Sequence, residues 1–141
     1  ALAHLQKNPQ DIPWAVEEFL RMASPVYHFR RTATKDVEFR GKNIKKGDKV
    51  VVWFASGNYD DEVFSNPHTM NPTRMPNEHM SFGRGGPHLC LGNALARIEL
   101  IIMFEDLIGR ISSMERTAPI EYLHSNFVHG VKGMPVKVSL R

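Results

Sequence analysis

The chain has 141 residues, of which 18 are Lys or Arg, 15 are Asp or Glu and 42% are hydrophobic, a composition typical of a globular protein that excludes wholesale disorder. Its longest apolar run, residues 50–55, is far shorter than the roughly 20 residues that a membrane-spanning helix needs. The one cysteine, Cys90, excludes an intrachain disulfide or a multi-cysteine metal site built from this chain alone, and a net charge of +3 is too small to predict a nucleic-acid partner.

The first 25 residues predict two helices separated by a proline break. Residues 1–6 resemble the last turns of a helix and contain neither an initiator methionine nor a signal peptide. We therefore expect a piece of a longer protein, with its N-terminal part missing. Pro9 ends the opening helix, and the second helix is expected to start near Asp11, which suits an N-cap, and to end at Ser24-Pro25.

The middle of the chain predicts strands and then a long irregular stretch. Residues 26–54 contain turn signals and β-branched residues, and we expect residues 49–54 to form a buried strand. A short helix is expected within residues 56–64. Residues 65–81 contain three Pro, three Asn and two His. An irregular stretch of this length inside a compact domain usually serves a function.

The last third of the chain begins with a glycine-rich run, residues 82–92, and continues into the most strongly predicted helix. This helix is expected to run from Asn93 to about Ile108 and to end at Gly109 or Arg110. Its apolar residues form two rows, which predicts that both sides of the helix are covered. A final strand is predicted at residues 136–138. No linker or repeat divides the chain.

Cys90 lies two residues before Gly92, where the long helix is expected to begin. A helix N-terminus offers free N–H groups and the positive end of the helix dipole, both of which stabilise a thiolate. The glycines before it let the backbone approach a flat ligand closely. The residues alone leave three interpretations open: a buried structural cysteine, a nucleophile with His88 as its base, and an axial thiolate ligand of haem iron.

The glycine-rich run resembles the haem-thiolate signature of the cytochrome P450 monooxygenases, F-G-x-G-x-H-x-C-x-G, because it reads Phe82-Gly83-Arg84-Gly85-Gly86-Pro87-His88-Leu89-Cys90-Leu91-Gly92. It contains one extra residue before the histidine, a form similar to that of some soluble bacterial members. Further segments resemble the family in the same order: Glu18-Phe19-Leu20-Arg21, Arg31-Thr32-Ala33-Thr34-Lys35-Asp36, Gly57-Asn58-Tyr59-Asp60, Phe64-Ser65-Asn66-Pro67 and Leu95-Ala96-Arg97-Ile98-Glu99.

The resemblance implies a fold and a cofactor. The fold would be mainly α with small β-sheets (α+β), the C-terminal, proximal part of the cytochrome P450 fold. Residues 1–141 would be one partial domain with the E-x-x-R helix, strands, meander, haem-ligand loop, long helix and C-terminal strands. The cofactor would be haem b, whose iron would be bound by Cys90. The other residues expected at the haem are His88 and Arg31 on its propionates, Phe82 beside the sulfur, and Gly83, Gly85 and Gly92 for clearance.

The E-x-x-R pair, Glu18 and Arg21, is expected to be structural and to tie its helix to the meander that supports the ligand loop. The family usually adds an Arg from a P-x-R-F motif, but Thr69 stands at that position here. The third partner is then either missing or supplied elsewhere, with His68 and Arg74 as the candidates. The remaining histidines are predicted to lie at the surface or in turns: His4, His28, His79, His124 and His129.

The resemblance also implies a function, a haem-dependent monooxygenase that inserts one oxygen atom of O2 into a lipophilic substrate. No acid–Thr segment of the family's oxygen-activating helix occurs in this sequence. We therefore expect no catalytic residue here beyond the haem ligand, and an inactive isolated fragment. A non-catalytic haem-thiolate binding or sensing module is the alternative.

Substrate and partners follow from the same resemblance. Val26, Phe127 and Val128 are expected to contact the substrate, a sterol or methyl-branched lipid if the similarity to bacterial hydroxylases of such compounds extends to it. Electrons would come from a ferredoxin-like or flavin-containing donor. Arg84 and Arg97 are expected to offer that donor a basic docking face. A cytoplasmic location is expected, as for soluble bacterial members.

Overall fold

The computed structural model describes residues 1–141 as four α-helices and eight short β-strands. The helices are α1 (Leu2–Lys7), α2 (Ile12–Ala23), α3 (Phe54–Asn58) and α4 (Asn93–Arg110). The strands are β1 (His28–Thr32), β2 (Val37–Phe39), β3 (Lys42–Ile44), β4 (Lys49–Trp53), β5 (Ile111–Arg116), β6 (Glu121–Tyr122), β7 (Val131–Gly133) and β8 (Val136–Leu140). None of the helices is long and apolar enough to cross a membrane.

The helices α1, α2 and α4 enclose the main core. Its buried side chains are Leu5, Ile12, Ala15, Val16, Leu20 and Ile108, and Phe19 and Phe104 pack against them with ring centroids 4.8 Å apart. The apolar spacing of α2 places its buried residues on one face, as the sequence predicted. This small core fixes the angle between α2 and α4, the two helices that flank the site described below.

All four sheets are two-stranded and antiparallel, and they pair β1 with β4, β2 with β3, β5 with β8, and β6 with β7. In the first sheet, Phe29 faces Val52 and Arg31 faces Val50. Successive side chains of a strand point to opposite faces, so Phe29 and Arg31 share one face while Arg30 lies on the other. The sheet β1–β4 thereby presents a guanidinium and an aromatic ring on the same side.

Two burial predictions were wrong. The strand expected to be buried, β4, leaves Val51, Val52 and Trp53 more than 40% exposed, because it pairs with β1 alone. Helix α4 is covered on one side only: Leu95 and Ile102 are each 60% exposed, and Ile108 is its one buried residue. The apolar patterns were read correctly, but no other part of this chain packs on these surfaces.

Several element boundaries were also corrected. The short helix expected within residues 56–64 is α3, Phe54–Asn58. The final strand is longer than expected, and β5, β6 and β7 were not predicted. Asp11 does not cap α2 with its side chain; its carboxylate lies 2.7 Å from His4 Nε2 instead. Residues 65–81 contain no helix or strand, as predicted.

Candidate functional site

The glycine-rich run forms a loop between the irregular segment 65–81 and α4. The Cys90 N–H donates to the carbonyl of Phe82 at 2.9 Å, which closes the loop at its base. Gly83 and Gly85 have φ angles of +74° and +66°, a left-handed conformation that side chains rarely adopt. Gly92 has an ordinary φ of −83° and is the N-cap of α4, so backbone conformation does not require a glycine there.

Cys90 is exposed, which contradicts the interpretation of a buried structural cysteine. Its carbonyl accepts a hydrogen bond from Asn93 Nδ2 at 2.6 Å, and its sulfur is left free of the loop's own hydrogen bonding. His88 is also exposed and makes no hydrogen bond to Cys90, so no nucleophile–base pair is assembled. Both backbone polar groups of Cys90 are therefore hydrogen-bonded, while its side chain is not.

A cavity of about 490 Å³ lies between this loop and the sheet β1–β4. Its wall brings together many of the residues that the sequence predicted at the site: Val26, Arg31, Phe82, Gly83, Gly85, His88 and Cys90. Phe29, Val52, Phe54 and Met80 supply apolar surface. Gly92, Phe127 and Val128 are outside this wall.

The two segments predicted to contact substrate lie side by side. Val26 forms an isolated antiparallel bridge with Val128, and the Tyr27 N–H donates to the Phe127 carbonyl at 2.9 Å. The Phe127 ring packs edge-on against Phe29, with centroids 5.4 Å apart. Phe29 lines the cavity, so Phe127 is separated from the cavity by the Phe29 ring alone.

Two basic side chains on the cavity wall, Arg31 and His88, have no carboxylate partner in this chain, whereas a third, Arg84, is paired with Glu78. The Arg31 guanidinium donates to the Arg30 carbonyl at 3.0 Å and lies 5.8 Å from the centre of the Phe29 ring. Neither Arg31 nor His88 forms a salt bridge. A cationic guanidinium, an imidazole and a thiol on one cavity wall fit a ligand that combines a soft metal with carboxylates.

Glu18 is at the centre of a buried cluster behind the loop. Its carboxylate accepts from Arg21 at 2.8 Å through both Nε and Nη2, and from Arg74 Nε at 3.0 and 3.1 Å. Asn77 Nδ2 and the Asn71 N–H also donate to it, at 3.0 and 3.1 Å. Burial raises the pKa of Glu18, but the hydrogen bonds from Arg21, Asn71 and Arg74 outweigh it and hold that pKa below its usual range.

Arg74 occupies the position of the third partner beside this pair. Its Nη2 donates to the Thr69 carbonyl at 3.2 Å. Thr69 stands at the position where the family usually has an Arg, so Arg74 contacts the backbone of the residue whose role it takes. His68, the other candidate, stacks on Tyr59 with ring centroids 5.0 Å apart. The cluster joins α2 to the segment 65–81.

A second ionic cluster was missed by the sequence analysis. Glu17 Oε2 lies 2.9 Å from His79 Nε2, and Glu17 Oε1 accepts from Arg97 Nε at 2.6 Å. His79 is 8% exposed, so its predicted surface position was wrong. In the sequence, only the position of Glu17 directly before Glu18 indicated this cluster. Adjacent helix positions point about 100° apart, so Glu17 must contact partners different from those of Glu18.

The predicted basic docking face is largely neutralised. Arg97 is held by Glu17, and Arg84 forms an exposed salt bridge with Glu78 at 2.9 Å. The Glu78 carboxylate raises the pKa of Arg84, and the guanidinium in turn lowers the pKa of Glu78. Neither arginine is therefore a free positive charge on this surface.

Comparison with known proteins identifies the family of this chain. The profile of the family named Cytochrome P450 matches residues 12–131. The chain belongs to the cytochrome P450 family. It is 44% identical over 136 residues to a protein of Pseudomonas sp. named Cytochrome P450-terp, an alignment that covers 96% of this chain and 32% of that protein.

Two further relatives support the assignment. The Methyl-branched lipid omega-hydroxylase of Mycobacterium tuberculosis is 45% identical over 124 residues, which are 88% of this chain and 29% of that protein. The crystal structure of P450 OxyD, described as involved in the biosynthesis of vancomycin-type antibiotics, superposes with a TM-score of 0.93 at 38% identity, covering 99% of this chain and 36% of that one. The chain thus spans about a third of the length of these P450 relatives, at 29%, 32% and 36%. The predicted α+β P450 fold is confirmed.

Cytochromes P450 bind haem, and the residues at the cavity fit that cofactor. No group of three or more His, Cys, Asp or Glu in this chain could hold a metal ion. A metal here would take one ligand from the protein and the others from elsewhere, as iron in a porphyrin does. The exposed Cys90 thiol would supply the protein ligand, and the unpaired Arg31 would suit a carboxylate of the porphyrin.

Proposed function

We propose that the complete protein is a haem-dependent monooxygenase that acts on a lipophilic substrate, with this chain supplying the thiolate side. The observation that carries the proposal is the exposed Cys90 thiol on the wall of a cavity that also contains Arg31 and His88, two groups without a carboxylate partner. These groups are exposed and make no ion pair within this chain, so they contribute little to its folding stability. The arrangement becomes complementary once a ligand with iron and carboxylates is present.

Each predicted residue then has a distinct task. Cys90, on the cavity wall, would supply the protein ligand of the iron. Arg31 and His88 bind the two propionates through charge-assisted hydrogen bonds, which are stronger than neutral ones. Phe82, which lines the same cavity, would pack beside the sulfur. Gly83 and Gly85 line the cavity and would leave clearance for the porphyrin, since a Cβ at Gly85 would project into open space. The same role for Gly92, which is outside the cavity wall, stays a prediction from the resemblance.

The reaction needs partners outside this chain. Bound haem supplies the activation of O2: one oxygen atom enters a C–H bond of the substrate and the other leaves as water, with two electrons and two protons consumed. The electrons come from a ferredoxin-like or flavin-containing donor. The chain's own contribution is to bind and orient the cofactor, since none of its other side chains is assigned a catalytic step.

The substrate class follows from the apolar side of the cavity. Val26 lines it, and Phe127 and Val128 adjoin it through the contacts with Phe29 and Val26. These side chains suit a sterol or a branched lipid, and one relative at 45% identity is named a methyl-branched lipid hydroxylase. A cytoplasmic location stays a prediction from the resemblance.

The test uses the complete polypeptide loaded with haem. The wild-type protein should give the thiolate-type absorption band in its ferrous–CO spectrum, and Cys90→Ser should lose it while keeping the same helix content by circular dichroism. A thiolate-type band that survives in Cys90→Ser removes Cys90 from its role.

A second measurement separates the oxygenase from a binding or sensing module. With an electron donor, O2 and a panel of sterols and methyl-branched lipids, the oxygenase forms a product heavier by one oxygen atom. Label from 18O2 should appear once in that product. A protein with the thiolate band that transfers no labelled oxygen to any tested lipid supports the module instead.

A further inference from the structure

An ionic chain connects three separate elements around the Cys90 loop. Glu17 on α2 uses both carboxylate oxygens: Arg97 Nε and Nη2 donate to them at 2.6 and 2.9 Å, and His79 Nε2 lies 2.9 Å from Oε2. The Ser81 N–H donates to His79 Nδ1 at 3.2 Å, so Nε2 carries the proton and donates to Glu17. The carboxylate is therefore held on both sides.

Arg97 also connects Glu17 to the Cys90 loop. Arg97 Nη1 donates to Asn93 Oδ1 at 2.9 Å, and Asn93 Nδ2 donates to the Cys90 carbonyl at 2.6 Å. The Arg97 guanidinium also lies over the Phe82 ring, with Cζ 4.6 Å from the ring centre. Arg97 thus acts on the loop at its first residue and, through Asn93, at Cys90.

These contacts close a ring around the peptide groups next to the thiol. The Phe82 carbonyl accepts from the Cys90 N–H, and Asn93 holds the Cys90 carbonyl, so both polar groups of Cys90 are fixed. A rigid, planar arginine fork fixes direction as well as distance, which a lysine cannot do. The Cys90 carbonyl also accepts from the Asn93 N–H at 3.2 Å, and the side chains of Asn93 and Arg97 connect this carbonyl to Glu17.

We propose that Glu17 and Arg97 are positioning residues that set the direction and stability of the Cys90 thiolate bond to iron, and thereby the reduction potential of the haem. The proposal rests on the proposed role of Cys90 as the iron ligand. Partners outside the first coordination shell commonly control ligand orientation and metal potential.

A docking role for Arg97 is the alternative, because a basic residue beside the loop could contact an acidic electron donor. The two roles predict opposite results for conservative substitutions. Arg97→Lys keeps the charge but loses the fork and the flat contact with Phe82. Glu17→Gln keeps the size of the side chain but frees the charge of Arg97.

The experiment is a redox titration with chemical mediators on the complete haem-loaded protein, together with ferrous–CO spectra over time. Under positioning, Glu17→Gln and Arg97→Lys both change the ratio of reduced to oxidised protein at fixed potential about tenfold, which is 59 mV for one electron. Both also convert to the non-thiolate CO form several-fold faster than wild type. Under docking, neither quantity changes, and Glu17→Gln lowers the KM for the donor.

Controls separate this result from general loss of stability. Asp106→Asn breaks an exposed salt bridge with Arg110 on the same helix, 2.6 Å long, and should leave the potential and the CO spectrum at wild-type values. Asn93→Ala removes the side-chain hydrogen bond to the Cys90 carbonyl but keeps the backbone one at 3.2 Å, and it should shift the potential in the same direction as Glu17→Gln by a smaller amount. If Arg97→Lys does not retain haem, this milder variant decides the question.

The outcomes also distinguish the two proposals. A wild-type protein without the thiolate band overturns the proposed function. A wild-type protein with that band, whose potential is the same in Glu17→Gln, Arg97→Lys and Asn93→Ala, overturns the positioning role alone.

Discussion

The Glu18 cluster and the cavity wall use the same kinds of side chain in opposite ways. In the cluster, Arg21 and Glu18 are fully buried, and each nitrogen of the Arg21 guanidinium donates to an acceptor within the chain. At the cavity, Arg31 is exposed and finds no carboxylate. A satisfied charge network fixes the backbone, whereas an unsatisfied one is available to a ligand. The difference indicates which cations support the fold and which are free to bind.

The largest effect is expected where the buried network is broken. Glu18→Gln leaves Arg21 and Arg74 without their shared carboxylate, which should destabilise the holoprotein by about 3–5 kcal/mol, the usual cost of an uncompensated buried charge. Urea unfolding followed by circular dichroism measures this. The control is Asp36→Asn, because its salt bridge with Lys45 joins two exposed side chains and should contribute little to stability. Equal losses in the two variants would contradict the comparison.

The cavity side should respond in ligand affinity rather than in folding stability. Arg31→Ala removes a charge-assisted contact worth about 1.5–3 kcal/mol, so haem should dissociate roughly 10–100-fold more readily. Transfer of haem to an excess of apomyoglobin reports the rate. Arg30→Ala is the matched control, because Arg30 is the neighbouring exposed arginine on the other face of β1. If both variants lose haem equally fast, Arg31 does not bind the cofactor.

An intermediate effect is expected at Arg74. Arg74→Lys retains one positive charge but cannot contact Glu18 and the carbonyls of Ser65 and Thr69 together. We expect a loss of about 1–2 kcal/mol in urea unfolding. Adding Arg at position 69 in the same variant, Thr69→Arg with Arg74→Lys, tests whether the family's usual position restores the contact. If the double variant is no more stable than Arg74→Lys, an Arg at position 69 cannot reach Glu18 in this protein.

The last prediction concerns the pH dependence of folding stability at Glu17. Burial raises the pKa of this carboxyl, but hydrogen bonds from His79 and Arg97 outweigh it and lower the pKa from 4.5 to about 2. The folded form therefore binds a proton more weakly than the unfolded form, and this stabilisation is complete above about pH 4.5 and is lost as the pH falls towards 2. Urea midpoints of wild type and Glu17→Gln should converge over that interval. A constant difference between them would contradict the assignment.

Local signals in the sequence were enough for much of the fold. Pro9 and Pro25 separate the first helices from their neighbours, and the apolar spacing of α2 identifies its buried face. The irregular stretch 65–81 was expected because proline and asparagine favour neither helix nor strand there. The position of Cys90 at the start of α4 followed from the same kind of evidence.

The missing parts depend on contacts between residues far apart in the chain. The pairing of Glu17 with His79 spans 62 positions and its pairing with Arg97 spans 80, and neither leaves a periodic pattern. The short strand β6 pairs with β7 through only a few residues, too few to carry an alternating signal. The exposure of β4 and α4 depends on what packs against them, which apolar residues alone do not reveal.

The Glu18 cluster also constrains the order in which the polypeptide can assemble. Its donors come from residues 3, 53, 56 and 59 positions later in the chain. During synthesis, α2 leaves the ribosome before Arg74 and Asn77 do, so Glu18 and Arg21 stay solvated until those residues have been made. The chain between α2 and the segment 65–81 has to close into a loop before the Glu18 carboxylate can be desolvated. The rate-limiting step of folding should therefore include docking of the segment 65–81 on α2.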